Sequence, residues 1–169
     1  MNRQQVGLLI VAALAVYYFR GTIVAGSQKA IKAVKTATRG IRNNNPGNIE
    51  RGATKWQGMS ADQSGDSRFA VFTSPEYGIR ALARILGTYA TAHGLNTVAG
   101  IVNRWAPPGE NDTGAYARAV AAALRVSPTE KIDVKSRLPE LVTAIIKHEN
   151  GYNPYSQSQI TAGVNAAKV

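Results

Sequence analysis

No cysteine occurs among the 169 residues, which excludes disulfide frameworks, thiol nucleophiles and thiolate metal sites together. Histidine is almost as scarce. His93 and His148 are the only two and lie far apart in sequence, so a catalytic zinc would have to be held mainly by carboxylates. Neither a metal nor a cofactor is implied. Acids are missing from the first quarter of the chain: residues 1–42 carry seven bases (Arg3, Arg20, Lys29, Lys32, Lys35, Arg39, Arg42) and no Asp or Glu, whereas the remainder holds thirteen bases and ten acids. Most of the net charge of +10 therefore sits on an arm. Such an arm favours anionic lipid, nucleic acid or acidic wall polymers; its plainest use is as a cationic linker beside lipid headgroups. Aromatic residues are absent between Lys29 and Arg42, so the arm lacks the stacking platforms of a nucleic-acid binder, and nucleic acid is not expected as a partner.

What the arm does contain is apolar. Val6–Phe19 (VGLLIVAALAVYYF) has no charged residue but is 14 residues long, short of the roughly 20 that span hydrocarbon. Extension to Gly26 gives 21 residues with Arg20 as the single charge. Arg20 can snorkel to the interface, and Tyr17 and Tyr18 suit a membrane belt. Residues 1–26 are expected to form a transmembrane anchor, touching lipid through residues 6–26. A cleaved signal peptide, with Arg3 as its basic start and small residues around Ala25–Ser27, is the competing assignment. Residues 27–39 (SQKAIKAVKTATR) set lysines at every third position around Ala30, Ile31 and Val34, which fits a basic amphipathic linker on a membrane surface. The positive-inside tendency would hold that side cytoplasmic; a domain working outside the cytoplasm needs the opposite face.

A folded domain is expected over residues 40–156. Asn43–Gly47 (NNNPG) breaks any helix, because Asn and Gly tolerate left-handed backbone and Pro46 disfavours helix at Asn45. Residues 51–67 read as loop, and Arg68–Phe72 alternates enough for a short strand. Ser74 and Pro75 open a helix whose apolar set is Ile79, Leu82, Ala83 and Leu86. Asn96 is expected to cap a short helix that Trp105 closes before Pro107 and Pro108, and Thr113 to cap a third running from Gly114 to Leu124. Pro139–His148 is strongly helical and ends at Gly151. Residues 157–169 are small and polar, and a flexible tail is expected there. No internal repeat is visible. The fold class is mostly α, with at most a small β-hairpin.

The chemistry concentrates at the end of the last long helix, in Lys147-His148-Glu149-Asn150-Gly151-Tyr152-Asn153-Pro154-Tyr155-Ser156. A carboxylate on a final turn faces the negative end of the helix macrodipole, which disfavours its ionised form. A carboxyl kept protonated is what glycosidic cleavage requires of a general acid. Glu149 is the candidate; a surface glutamate in a helix cap beside Lys147 and His148 is the plainer reading. Glu110, in a polar loop before Asn111-Asp112, is the second-choice acid. Asn43, Asn44, Asn45 and Asn48 either build a turn or offer amides to sugar hydroxyl and acetamido groups. Tyr116 either fills the core or lines a site, and Trp56 and Trp105 either plug the core or stack on sugar rings. A second carboxylate, of the kind a hydrolase uses, could come from Glu50, Asp62 or Asp66, none of which sits in a recognisable motif.

Glu149-Asn150-Gly151-Tyr152-Asn153-Pro154 resembles the first motif of lytic transglycosylases, in which the acid ends a helix and is followed by a small polar residue, Gly, an aromatic and Asn-Pro. Phe72-Thr73-Ser74-Pro75-Glu76-Tyr77-Gly78-Ile79-Arg80-Ala81 with Leu86 is similar to the helix behind that family's cleft. Asn111-Asp112-Thr113-Gly114-Ala115-Tyr116 through Val120 is similar to the segment whose tyrosine orients the acid or the sugar. The glutamate motif comes last here and first in the family, so the resemblance implies a circularly permuted lysozyme-like domain. Gly40-Ile41-Arg42-Asn43-Asn44-Asn45-Pro46-Gly47-Asn48-Ile49, with Arg104-Trp105-Ala106-Pro107-Pro108, resembles phage virion proteins associated with peptidoglycan digestion. Together these similarities imply a membrane-anchored virion protein that cleaves peptidoglycan glycan strands, as a lytic transglycosylase or a lysozyme-type hydrolase, with Glu149 as acid. They imply Asn45, Asn48, Tyr116, Tyr152 and Tyr155 as substrate contacts and other virion proteins as possible partners. The rival reading is a non-catalytic virion membrane protein that binds glycan or capsid partners.

Overall fold

The asparagine-rich breaker acts as its composition demands. In the computed structural model, which describes residues 37–109 and 112–169, α1 (Arg39–Arg42) is a single turn that stops at Asn43. Asn44 and Asn48 then take left-handed backbone at φ 51° and 50°, the conformation asparagine tolerates better than other side-chain-bearing residues. The chain divides into two units, Met1–Ala37 and Thr38–Val169. The expected anchor and nearly all of the expected linker lie outside the described residues. Arg39, assigned by its sequence to the linker, belongs instead to α1. Among the described residues no helix is long and apolar enough to cross a membrane.

Five longer helices follow among the described residues, so the fold is mostly helical. In α2 (Pro75–His93), Pro75 supplies a pre-set φ at the first position, Glu76 lies in the first turn, and Gly94 ends the helix in left-handed backbone at φ 64°. Its Ile79, Leu82, Ala83 and Leu86 are fully buried. In α3 (Val98–Trp105) the cap is Thr97, whose hydroxyl accepts from the Gly100 N–H; the expected Asn96 instead uses its carbonyl to accept from Ile132 N–H. In α4 (Thr113–Leu124) the cap is Asp112, not Thr113, because the carboxylate reaches the Ala115 N–H while Thr113 turns its hydroxyl to the Ala106 carbonyl. α5 (Leu138–Asn150) buries Leu141, Val142, Ile145 and Ile146 and ends at Gly151, φ 75°.

Residues 157–169 are not a loose tail. Gln157–Ala167 forms α6, opened by a capping box in which Ser156 and Gln159 satisfy each other's backbone. Small residues there let α6 lie close: Ile160 and Ala167 are fully buried, and a side chain at Gly163 would collide with Ile79 of α2. Arg80 and Arg84 add hydrogen bonds to the carbonyls of Ala166 and Ala167. The segment looked loose in sequence because its apolar side chains are few and short.

The expected strand at Arg68–Phe72, and with it the hairpin, is reduced to isolated antiparallel bridges, Glu50 with Phe69 and Met59 with Phe72. α2 packs against α5 and α6, and α4 packs against both α3 and α5. Their shared core centres on Phe72, Ile79, Leu82, Leu86, Ile101, Leu138, Leu141 and Ile145, all essentially sealed from solvent. Each such side chain contributes about 1.5–3 kcal/mol, enough to hold the irregular segment 43–74 against the helices.

Candidate active site

Glu149 lies on the last turn of α5 with its side chain half-buried, and three other segments supply its neighbours. Oε1 accepts from Trp105 Nε1–H at 3.0 Å and from the Tyr116 hydroxyl at 2.8 Å. Oε2 accepts from Asn48 Nδ2–H at 3.0 Å. The donors come from the end of α3, the first turn of α4 and the loop after α1, so the carboxylate is fixed only when all of these are packed. Tyr116 is 3% exposed. Burial first, and then the adjacent Glu149 charge, push its phenol far above the ordinary value, so it remains a hydrogen-bond donor. The His148 ring stacks on the Tyr116 ring with centroids 3.6 Å apart.

Glu149 opens onto a cleft of about 710 Å³, lined by Gly47–Glu50, Arg68 and Phe69, by Ile85 and Tyr89 of α2, and by Trp105–Gly109. A cleft of this size suits a ligand of several hundred cubic ångströms. Glu50 is the other carboxylate on its lining, and it accepts from Arg68 Nε and Nη2 at 2.7 and 2.6 Å. Arg104 sits over the Tyr89 ring at 5.2 Å, and Arg39 and Arg68 both lie against the Phe69 ring. Among the described residues no group of three or more His, Cys, Asp or Glu could hold a metal ion.

The chain is 41% identical over 133 residues to protein P5 of Pseudoalteromonas phage PM2, a match that covers 77% of this chain and 82% of that protein. This chain belongs to the protein P5 family. No protein-family model matches it. The relative is a bacteriophage protein, which associates the P5 family with bacteriophage.

The residues that the P5-family sequence singled out do not all meet at this cleft. Glu149 and Asn48 lie on its lining; Tyr116, expected to touch substrate, is buried off the lining and reaches the site only through its hydrogen bond to Glu149. Asn45 does not reach it: it is fully buried, with Nδ2 donating to the Ile49 and Ala70 carbonyls and Oδ1 accepting from Ile49 N–H. Every polar atom of its side chain is spent on shaping the loop, so it has none to offer a ligand. Tyr152 is 44% exposed and lies off the cleft lining. Tyr155 also lies off it; the ring packs on the core, burial pushes its phenol up to about 12, and its hydroxyl is buried without a partner. Glu110 and Asn111 lie outside the described residues, although Gly109 just before them is on the lining.

Asp66 and Asp62 are not second acids. Asp66 is buried, accepts from Arg39 Nε and Nη2 at 2.6 Å each, from Asn43, and from the Arg68 and Phe69 N–H groups. The Arg39 bonds above all hold its carboxyl far below the ordinary value. Asp62 accepts from Ser64 N–H in an exposed turn. Trp105 is the neighbour of Glu149 that the sequence left between plugging the core and stacking on a sugar ring. Its position at a helix end before Pro107 and Pro108 was visible, but the indole's bond to a carboxylate 44 residues away is a product of packing.

Proposed function

We propose that the protein cleaves the glycan strands of bacterial peptidoglycan, with Glu149 as the general acid, as a component of a bacteriophage particle that opens the wall during infection. The observation that carries this reading is the carboxyl of Glu149, held by three donors from three segments and facing a cleft of about 710 Å³. Buried structural carboxylates are usually paired with a cation, as Asp66 is with Arg39. Glu149 has no salt-bridge partner among the described residues and is oriented by neutral groups alone.

The reaction class we favour is lytic transglycosylation. Glu149 gives its proton to the glycosidic oxygen as the bond from that oxygen to the anomeric carbon breaks. A hydroxyl of the same sugar attacks the anomeric carbon and returns its proton to Glu149, leaving an anhydro ring and consuming no water. Glu50, the other carboxylate on the lining, is engaged with Arg68 and has none of the neutral donors that orient Glu149. A lysozyme-type hydrolysis would require Glu50 or another group to activate water. The fold relationship that accompanies this reading is a lysozyme-like domain in permuted order, and its location is a membrane anchored through residues 6–26.

A zymogram on purified peptidoglycan, followed by mass analysis of the fragments, tests the proposal. Fragments lighter by one water than hydrolysis products mark transglycosylation, and reducing ends mark a muramidase. Glu149→Gln should abolish lysis while the cooperative unfolding transition is kept; lysis near the parent level in that variant would remove the assignment. If the parent protein binds peptidoglycan without cutting it, the protein is a glycan-binding virion component.

A further inference from the structure

We propose that the side-chain amide of Asn48 turns over as Glu149 gains and loses its proton, and that Asn48 thereby favours the acid form of the carboxyl. The inference rests on the reading of Glu149 as a proton donor. It begins from an anomaly in the loop: Asn48 Nδ2 donates to Glu149 Oε2 at 3.0 Å, but Asn48 Oδ1 is buried with no partner.

The neighbours of that orphaned oxygen are themselves acceptors. A Cβ built on Gly40 would lie 2.7 Å from Asn48 Oδ1, 2.8 Å from Asn150 Oδ1 and 2.9 Å from the Asn45 carbonyl oxygen, so all three oxygens face the same side of Gly40. Asn150 Oδ1 accepts from the Thr38 hydroxyl at 2.6 Å, and the Asn45 carbonyl accepts from Asn48's own N–H at 2.9 Å. Each keeps a second lone pair. Asn48 thus shows an oxygen, and not its amide N–H groups, to the side on which these acceptors lie.

A primary amide has nearly the same shape either way round. A half-turn would carry Asn48 Nδ2 toward the Asn45 and Asn150 oxygens and Oδ1 toward Glu149 Oε2. With Glu149 ionised the turned amide would set Oδ1 against a negative oxygen. With Glu149 protonated on Oε2, the O–H donates to Oδ1 and every group is satisfied. The proton belongs on Oε2, because Oε1 already accepts from both Trp105 and Tyr116. When the proton leaves for a substrate oxygen, the amide returns and Nδ2 donates to the new carboxylate. In the ionised state that bond is offset by the orphaned Oδ1, whereas in the acid state no group is left unpaired, so the balance favours the acid.

The other titratable or charged groups around Glu149 are Tyr116 on α4, Lys147 and His148 on α5, and the Glu50–Arg68 pair on the cleft lining. A test must leave these in place. Asn48→Gly does so and also suits the backbone, since position 48 has φ 50°. In the full chain, lysis of purified peptidoglycan is followed against pH for the parent and for Asn48→Gly. If the amide turns, its loss removes the acceptor of the acid form, and the alkaline limb of the profile moves down by about one pH unit. If the amide only ever donates to the carboxylate, its loss moves the limb up. An upward shift or an unmoved limb overturns the proposal.

Carbon-13 spectra of the Glu149 carboxyl in the same two proteins report the same sign without lysis. A parent protein that cuts nothing would count against the proposed function, while the carboxyl midpoint still decides the behaviour of the amide. The parent alone offers a further check, independent of any variant's folding. Cross-peaks between the Asn48 amide protons and the Gly40 α-protons should appear as Glu149 takes up its proton, and their absence across the titration overturns the proposal.

Discussion

Replacing Tyr116 by Phe separates positioning of the acid from filling of the core. The ring is 3% exposed and stacked on His148, and Phe keeps both the volume and the stack. What is lost is one donor, the hydroxyl 2.8 Å from Glu149 Oε1. Trp105 still donates to that oxygen at 3.0 Å, so no buried acceptor is orphaned and folding should lose only about 1 kcal/mol, a fall in Tm of roughly 3–5 °C for a domain of this size. The effect on turnover should be larger. A hydrogen bond to a charged group is worth about 1.5–3 kcal/mol, and the hydroxyl acts on the carboxyl as its proton leaves, so the rate should fall roughly ten- to a hundredfold with little change in KM. Because burial keeps the phenol protonated, the loss should show no pH dependence from ionisation of Tyr116 itself. Initial rates of turbidity loss on purified peptidoglycan, with calorimetry on the same samples, give both quantities. Lysis within twofold of the parent, accompanied by the fall in Tm, would mean that Tyr116 serves the core alone.

Asp66 predicts an acid sensitivity. Its carboxyl in the folded protein is held, chiefly by Arg39, far below the ordinary 3.8, so its contribution is complete above that value and is lost as pH falls beneath it; Asp66→Asn should lower the urea midpoint at pH 7 and flatten the decline below about pH 4, and parallel declines in parent and variant would refute the assignment. Ile160→Ala should cost about 2–5 kcal/mol in urea unfolding, since Ile160 is fully buried in α6; a cost below about 1 kcal/mol would restore the loose tail that the sequence suggested.

The long helices were legible because their apolar spacing and their breakers agree. Pro75 and Gly151 mark ends that the structure keeps, and Ile79, Leu82 and Leu86 occupy the face that burial selects. Caps were legible only to within a residue, because Thr97 and Asp112 lie beside equally suitable Asn96 and Thr113, and the choice depends on which side chain finds another partner. α6 was missed since the signal there is the absence of bulk: Gly163 and Ala167 are interior because they are small, and composition cannot distinguish a small residue packed against Ile79 from one in solvent. At the site, Glu149, Asn48 and Tyr116 were all visible as candidates, but Asn45 and Asn48 were indistinguishable. Three residues apart in one loop, they differ in that one side chain turns inward to three backbone groups and the other outward to a carboxylate.

The site is also where distant parts of the domain close on each other. Thr38 and Asn150 are 112 residues apart and joined by a 2.6 Å hydrogen bond, Asn150 reaches the Pro46 carbonyl across 104 residues, and Asn48 reaches Glu149 across 101. Closing a loop of that length costs about 4 kcal/mol of chain entropy, which no single one of these bonds repays. They therefore form when the helical core has already brought α5 to the loop after α1, and the arrangement around Glu149 should appear only in the fully folded domain. The same closure bears on the proposed kinship with a domain whose glutamate helix comes first in the chain. A permuted connection would have to run from the end of α5 to the start of α1, and here those two points are already in hydrogen-bond contact. The obstacle is α6, which continues the chain past that point and packs against α2. On the permuted reading α6 is the added element, and its buried Ile160 and Val164 cover a face of α2 that a chain opened at Asn150 would leave bare.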